Sequence, residues 1–184
     1  MPKPQVSNPD RVRLWNSLLH QARAEARNLA NNRAPDGGFE PRGGRLSNEQ
    51  QSILTLLALC TLSIEARANH LIIELVERGK LSADQGRSAQ RLPPLDKWLL
   101  LPSLAGRRTK IATDKAPHQA VAEICRRRNG LMHINFQKLR SSDMPSKTKM
   151  LALFRGFVEA MEDMNVMLRR VRAPRKRVLR LGLP

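Results

Sequence analysis

Inside the stretch EICRRRNGLMHINF, Glu123 to Phe136, stand Arg128, Asn129 and His133 in an otherwise apolar helical pattern. These residue types suit phosphodiester chemistry without a metal. A guanidinium presents paired N–H donors to phosphate oxygens. An imidazole titrates near neutrality and can take or give a proton. Arginine is almost never fully inside a protein without a partner, and an uncompensated buried charge is costly. Two explanations therefore compete for Arg128. It is either one half of a structural ion pair, with Glu65 as the candidate partner, or it borders a cleft that a phosphate enters. In the second case Glu65 can still orient it.

On a wheel of about 100° per residue, Val121, Cys125, Met132, Phe136 and Leu139 share one direction. Arg128 lies about 60° to one side of that stripe and His133 about 80° to the other, with Asn129 between them. Arg126 and Arg127 point toward solvent. Five residues separate Arg128 from His133, about 7.5 Å along the axis and about 140° around it. One helix does not readily aim both at one atom. A two-fold axis through the apolar stripe would gather two such pairs in one groove, so a homodimer is expected.

The elements that must hold these residues read as helices throughout. Asn8 and Pro9 suit the start of a first helix, whose Trp15, Leu18, Leu19, Ala22, Ala26 and Leu29 recur at helical spacing. The segment 34–46, rich in glycine and proline, predicts a loop. SNEQ at Ser47 and SADQ at Ser82 have the form of capping boxes. The first opens a long helix, nearly all apolar in its first half, that runs to about Gly79 as C′ residue. PPLDKWLLLPSLAG predicts one or two short helical turns, and RRTKIATDKAP a basic loop carrying Arg107, Arg108 and Lys110. Pro117 suits the first position of the helix that carries Arg128. A last helix has Met150, Leu153, Phe154, Phe157, Met161, Met164, Leu168 and Val171 on one stripe, facing the core or a dimer surface. No strand pattern competes. The expected fold is all-α, a four-helix up-and-down bundle with additional short helices spanning residues 1–172, followed by a basic tail, 173–184.

The net charge of +17 points to a polyanionic partner, nucleic acid before a membrane surface. The end of the chain, RRVRAPRKRVLRLGLP, is basic without an acid, and Arg175, Lys176 and Arg177 are candidate phosphate contacts alongside Arg107, Arg108, Lys110, Arg126 and Arg127. With aromatics at 3% and no tyrosine, a sheet that stacks single-stranded bases is not expected. The two cysteines, Cys60 and Cys125, lie in apolar runs and read as free core thiols in a reducing compartment. No metal-ligand spacing is present, and neither a metal nor another cofactor is expected. The N-terminus lacks the apolar core of a signal peptide. The longest apolar run, ILTLLALCTLSI from Ile53, is short for a bilayer, so a cytoplasmic protein without a membrane partner is expected. Among the histidines, His20 and His70 read as packing or surface residues, and His118, in a first helical turn, as able to reach solvent.

RNGLMH, with Arg128, Asn129 and His133, resembles the motif of the HEPN superfamily: an arginine, a polar residue, then a histidine near the start of a late helix. TLSIEARANHLIIELV on the long helix is similar to the helix that precedes that motif, and the resemblance covers most of Ser47 to Arg172. It implies an α-helical bundle that dimerises through the motif face. Many members are metal-independent endoribonucleases, often toxins paired with an antitoxin; others bind RNA or nucleotides without cleaving. In some toxin members a tyrosine two residues after the histidine is modified by the partner. Asn135 stands there in this chain, so silencing by that route is not implied. The leading expectation is an endoribonuclease acting on RNA through Arg128 and His133, assisted by Asn129. A non-catalytic nucleic-acid-binding protein and a helical protein-interaction module are the alternatives.

Overall fold

The computed structural model describes the backbone of residues 9–31, 46–133 and 144–169, and the side chains of 14–31, 46–131 and 144–168. Every regular element among them is a helix: α1 Pro9–Asn31, α2 Asn48–Glu77, α3 Ala83–Gln90, α4 Pro94–Leu104, α5 His118–His133 and α6 Lys147–Arg169. The all-α expectation holds. The expected loop 34–46 and tail 173–184 lie almost wholly outside the described residues.

Local chemistry explains where the helices begin and end. At α2, Ser47 Oγ accepts from Gln50 N at 3.2 Å while Gln50 Oε1 accepts from Ser47 N at 2.8 Å. At α3 the same exchange joins Ser82 and Gln85. Each box satisfies two backbone donors that a helix start leaves open. The C-terminal end of α2 turns at Gly79, whose φ of 65° is open to glycine at little steric cost. There the Gly79 and Lys80 N–H groups donate to the carbonyls of Val76 and Leu75. PPLDKWLLLPSLAG forms one helix of 11 residues rather than separate turns, with Pro94 at its start and Pro102 inside its last turn. The helix α5 begins at His118, one residue after the expected Pro117.

α2 is the centre of the molecule. It packs against α1 along much of its length and also meets α3, α4, α5 and α6. By length and composition it is apolar enough to cross a bilayer, although the run from Ile53 alone is shorter. Its apolarity is used within the chain, with Ile53, Leu56, Leu57, Cys60, Ile64, Leu71 and Ile72 buried against the surrounding helices. Arg67 fixes the helix directions. Its guanidinium stacks over the Trp15 ring of α1 at 4.4 Å and donates to Asn165 Oδ1 of α6. Early α1, late α2 and late α6 therefore share one end, so α1 runs against α2 and α6 runs with it. α5 runs against α6, because His118 meets Asp163 and Gly156 meets Ala120.

The stripe on α6 faces the core. Met150, Phe154, Phe157 and Met164 are fully buried, and Leu153 and Met161 nearly so. Burying each such side chain contributes about 1.5–3 kcal/mol. Gly156 sits on the same helix because a Cβ there would come within 2.7 Å of Ala120 Cβ on α5.

Candidate functional site

Arg128 extends from the last third of α5 to the wall of a cleft of about 500 Å³ between α2, α5 and the start of α4. Leu54, Leu57, Ala58 and Leu62 of α2, Pro94 of α4 and Leu131 of α5 supply its apolar surface, and Glu65 of α2 lies in the same lining. The exposed stripe of α2 arises from helical spacing: Leu54, Ala58 and Leu62 recur every four residues on the side that α1 and α6 leave uncovered. Leu62 is 48% exposed.

Arg128 is half-buried, and among the described residues its Nη1 bonds to the neighbouring Asn129 Oδ1, at 3.2 Å. Among the described residues no carboxylate lies within ion-pairing distance of it. Of the two explanations for Arg128, the ion pair with Glu65 is not what forms. Glu65 Oε1 instead takes Lys97 Nζ of α4 at 2.8 Å, and Lys97 is 2% exposed. Burying Lys97 requires a counter-charge, so α4 claims the carboxylate, and Arg128 has no acidic partner among the described residues. Both groups act on Cys125 between them. Burial above all raises its thiol, the Arg128 cation lowers it and the Glu65 carboxylate raises it, to about 11 in all. Cys60, fully buried beside it, is raised by burial and then by Cys125. Both cysteines are free, as expected.

The other candidates separate. Asn129 is exposed next to Arg128. His133 is the last described residue of α5, about 7.5 Å along the axis from Arg128 at 1.5 Å per residue; its side chain lies outside the described residues. Arg126 and Arg127 are not simply solvated. Both pair with Glu123, Arg127 Nε at 2.6 Å and half-buried, Arg126 more exposed. A carboxylate three and four residues back draws them along the helix surface. Arg107 is also engaged, its Nη2 donating at 3.1 Å to the Leu168 carbonyl, where it meets the negative end of the α6 dipole. Arg108 and Lys110 are exposed and carry the loop's open charge. Arg175, Lys176 and Arg177 lie outside the described residues.

The first part of the apolar stripe of α5 packs inside the chain. Val121, Ile124 and Cys125 are buried within this chain, because α2 and α6 close over them. Met132, Phe136 and Leu139, which complete the expected stripe, have side chains outside the described residues. The open edge of α5 is Arg128, Asn129 and Gly130.

A second polar constellation escaped the sequence reading. His118 is buried rather than open to solvent. The Trp98 indole N–H donates to its Nδ1 at 3.2 Å, and its Nε2 meets Asp163 Oδ2 at 2.9 Å. An accepting Nδ1 puts the proton of a neutral ring on Nε2, which then donates to Asp163. Both nitrogens are used, so this His–Asp pair ties α4, α5 and α6 together and offers no open base. Lys97 was missed too, although a signal existed: it stands four residues before buried Leu101 on the apolar side of α4. His70 pairs with Glu74 at 3.3 Å, and His20 is exposed.

A second hollow, of about 550 Å³, lies between α5 and α6 and places Arg126, Lys149 and Arg155 among Glu123 and Glu159. Its two acids offset part of the charge of its three bases. Among the described residues no three His, Cys, Asp or Glu side chains converge as metal ligands would. No protein-family model, no curated protein and no solved structure matches the chain.

Proposed function

We propose that this protein is a HEPN-like, four-helix-bundle endoribonuclease of the cytoplasm, with its reaction centre at Arg128 and His133. The observation that carries the reading is Arg128: a half-buried guanidinium on a cleft wall, without a carboxylate partner among the described residues, five residues before the histidine. A basic side chain left unneutralised at a cleft is what a phosphate needs. The net charge of +17 and the exposed Arg108 and Lys110 support an RNA partner.

In this reading His133 takes the proton of a ribose 2′-OH as the oxygen attacks the adjacent phosphorus. The P–O5′ bond breaks and the leaving oxygen takes a proton from water, giving a 2′,3′-cyclic phosphate and a 5′-hydroxyl. Arg128, with Asn129 bonded to its Nη1, neutralises the charge that builds on the phosphoryl oxygens. A homodimer along the Arg128–Gly130 edge would bring a second motif to the site, and an antitoxin-like protein would be a further partner. The test is cleavage of RNA in EDTA with and without 2′-deoxy substitution at the cut position. Cleavage that survives EDTA and stops with 2′-deoxy substitution is expected. Binding without cleavage under both conditions would leave the non-catalytic RNA-binding reading, which the mostly apolar lining of the cleft favours.

A further inference from the structure

We infer that the cleft beside Arg128 is a base pocket selective for guanine, with Glu65 reading the base while Arg128 holds the phosphate next to it. The inference rests on the proposed function for the role of Arg128. The cleft, about 500 Å³, falls in the range that small-ligand sites occupy. Leu54, Ala58 and Leu131 offer apolar surface to an unstacked base, and single-stranded RNA is read on its splayed-out bases.

The polar groups then choose the base. Glu65 is a carboxylate that accepts and never donates when ionised. Lys97 holds its Oε1 at 2.8 Å, while Oε2 has no donor among the described residues. The carboxylate is thus fixed in place with lone pairs to spare. A base that satisfies it must present N–H donors side by side. Guanine does so with N1–H and the N2 amino group. Adenine and cytosine set an acceptor beside their amino group, and uracil flanks its single N–H with two carbonyls, each of which would face the carboxylate. An acyl chain would fill the apolar part but leave Glu65 against methylenes, an unpaired acceptor and therefore a penalty. A guanine joined to a phosphate uses both Glu65 and Arg128.

The test is titration of the full chain, at low salt, with guanosine 3′,5′-bisphosphate and its inosine and adenosine counterparts. Guanosine should bind about tenfold or more tightly than inosine, which lacks the N2 donor to a charged acceptor, and adenosine should bind more weakly still. Glu65→Gln should bring the guanosine and inosine affinities together. Ala58→Trp, at an exposed lining position, should abolish binding of all three while the circular dichroism spectrum is unchanged. Equal affinities for the three wild-type titrations, or no binding at millimolar concentration, would overturn the inference, whether or not Glu65→Gln folds. The two proposals fail separately. RNA cleavage without base preference would remove the pocket and keep the nuclease. Guanosine-selective binding without cleavage would keep the pocket and remove the nuclease.

Discussion

Lys97 and Glu65 form an ion pair, 2.8 Å from Nζ to Oε1, in which the lysine side chain is 2% exposed and the glutamate side chain 40%. The asymmetry sets the energetics. The lysine has lost its water and depends on the pair, whereas the glutamate keeps solvent on one side. Glu65→Ala should therefore destabilise the fold by about 3–5 kcal/mol, the range for leaving a buried charge unpaired. Lys97→Met should cost far less, and the double variant should recover most of the loss. Urea denaturation of the three variants measures this. A double variant no more stable than Glu65→Ala would show that the pair is not what holds Lys97.

The approach of α5 and α6 depends on a missing side chain. At Gly156 a Cβ would meet Ala120 Cβ at 2.7 Å, well inside contact distance. Gly156→Ala gains helix propensity of about 1 kcal/mol, yet overpacking should outweigh it and lower stability by about 1–3 kcal/mol. Ala120→Gly in the same chain should restore part of the loss. Thermal melts of the single and double variants decide the matter, since a stabilised Gly156→Ala would mean that the helices part freely.

For the chemical step, His133→Ala should lower cleavage by about 10²–10⁴-fold, the contribution of a positioned proton-transfer group, and leave RNA affinity nearly intact. Arg128→Lys should also fail, because a lone ammonium cannot copy the paired donors of a guanidinium. Arg126→Lys should be nearly silent, since Arg126 is exposed and already paired with Glu123. Single-turnover assays on one RNA separate these outcomes, and full activity in Arg128→Lys would sink the assignment.

Stability should fall in alkaline solution for a reason lodged in the core. Burial raises the Cys125 thiol from an ordinary 9.0 to about 11, and Cys60 is raised as well. Between those values the unfolded chain has lost protons that the folded chain keeps. The unfolded state then binds fewer protons, and linkage makes unfolding easier as pH rises. The thiols' contribution is fully present below about pH 9; the Cys125 part is lost as pH climbs through about 11, and the Cys60 part at still higher pH. Urea midpoints of the wild type and of a Cys60→Ala, Cys125→Ala chain across this window give the difference. Parallel curves would show that the thiols ionise as easily folded as unfolded.

Much of this architecture was legible in the residue order. Both capping boxes, the turn at Gly79, the buried stripe of α6 and the buried centre of α2 are settled by neighbours within a turn or two, so hydrophobic period and side-chain-to-backbone bonding suffice to read them. The edge position of Arg128 was legible for the same reason. What each polar group meets was not. Glu65 pairs with Lys97 and not with Arg128, His118 is sealed between Trp98 and Asp163, and Val121 and Cys125 are covered by α2 and α6. Those outcomes depend on where the short helix α4 docks and how closely Gly156 lets α5 approach α6. A buried charge takes the counter-charge that packing brings within about 3 Å, and sequence spacing along one helix contains no term for that distance.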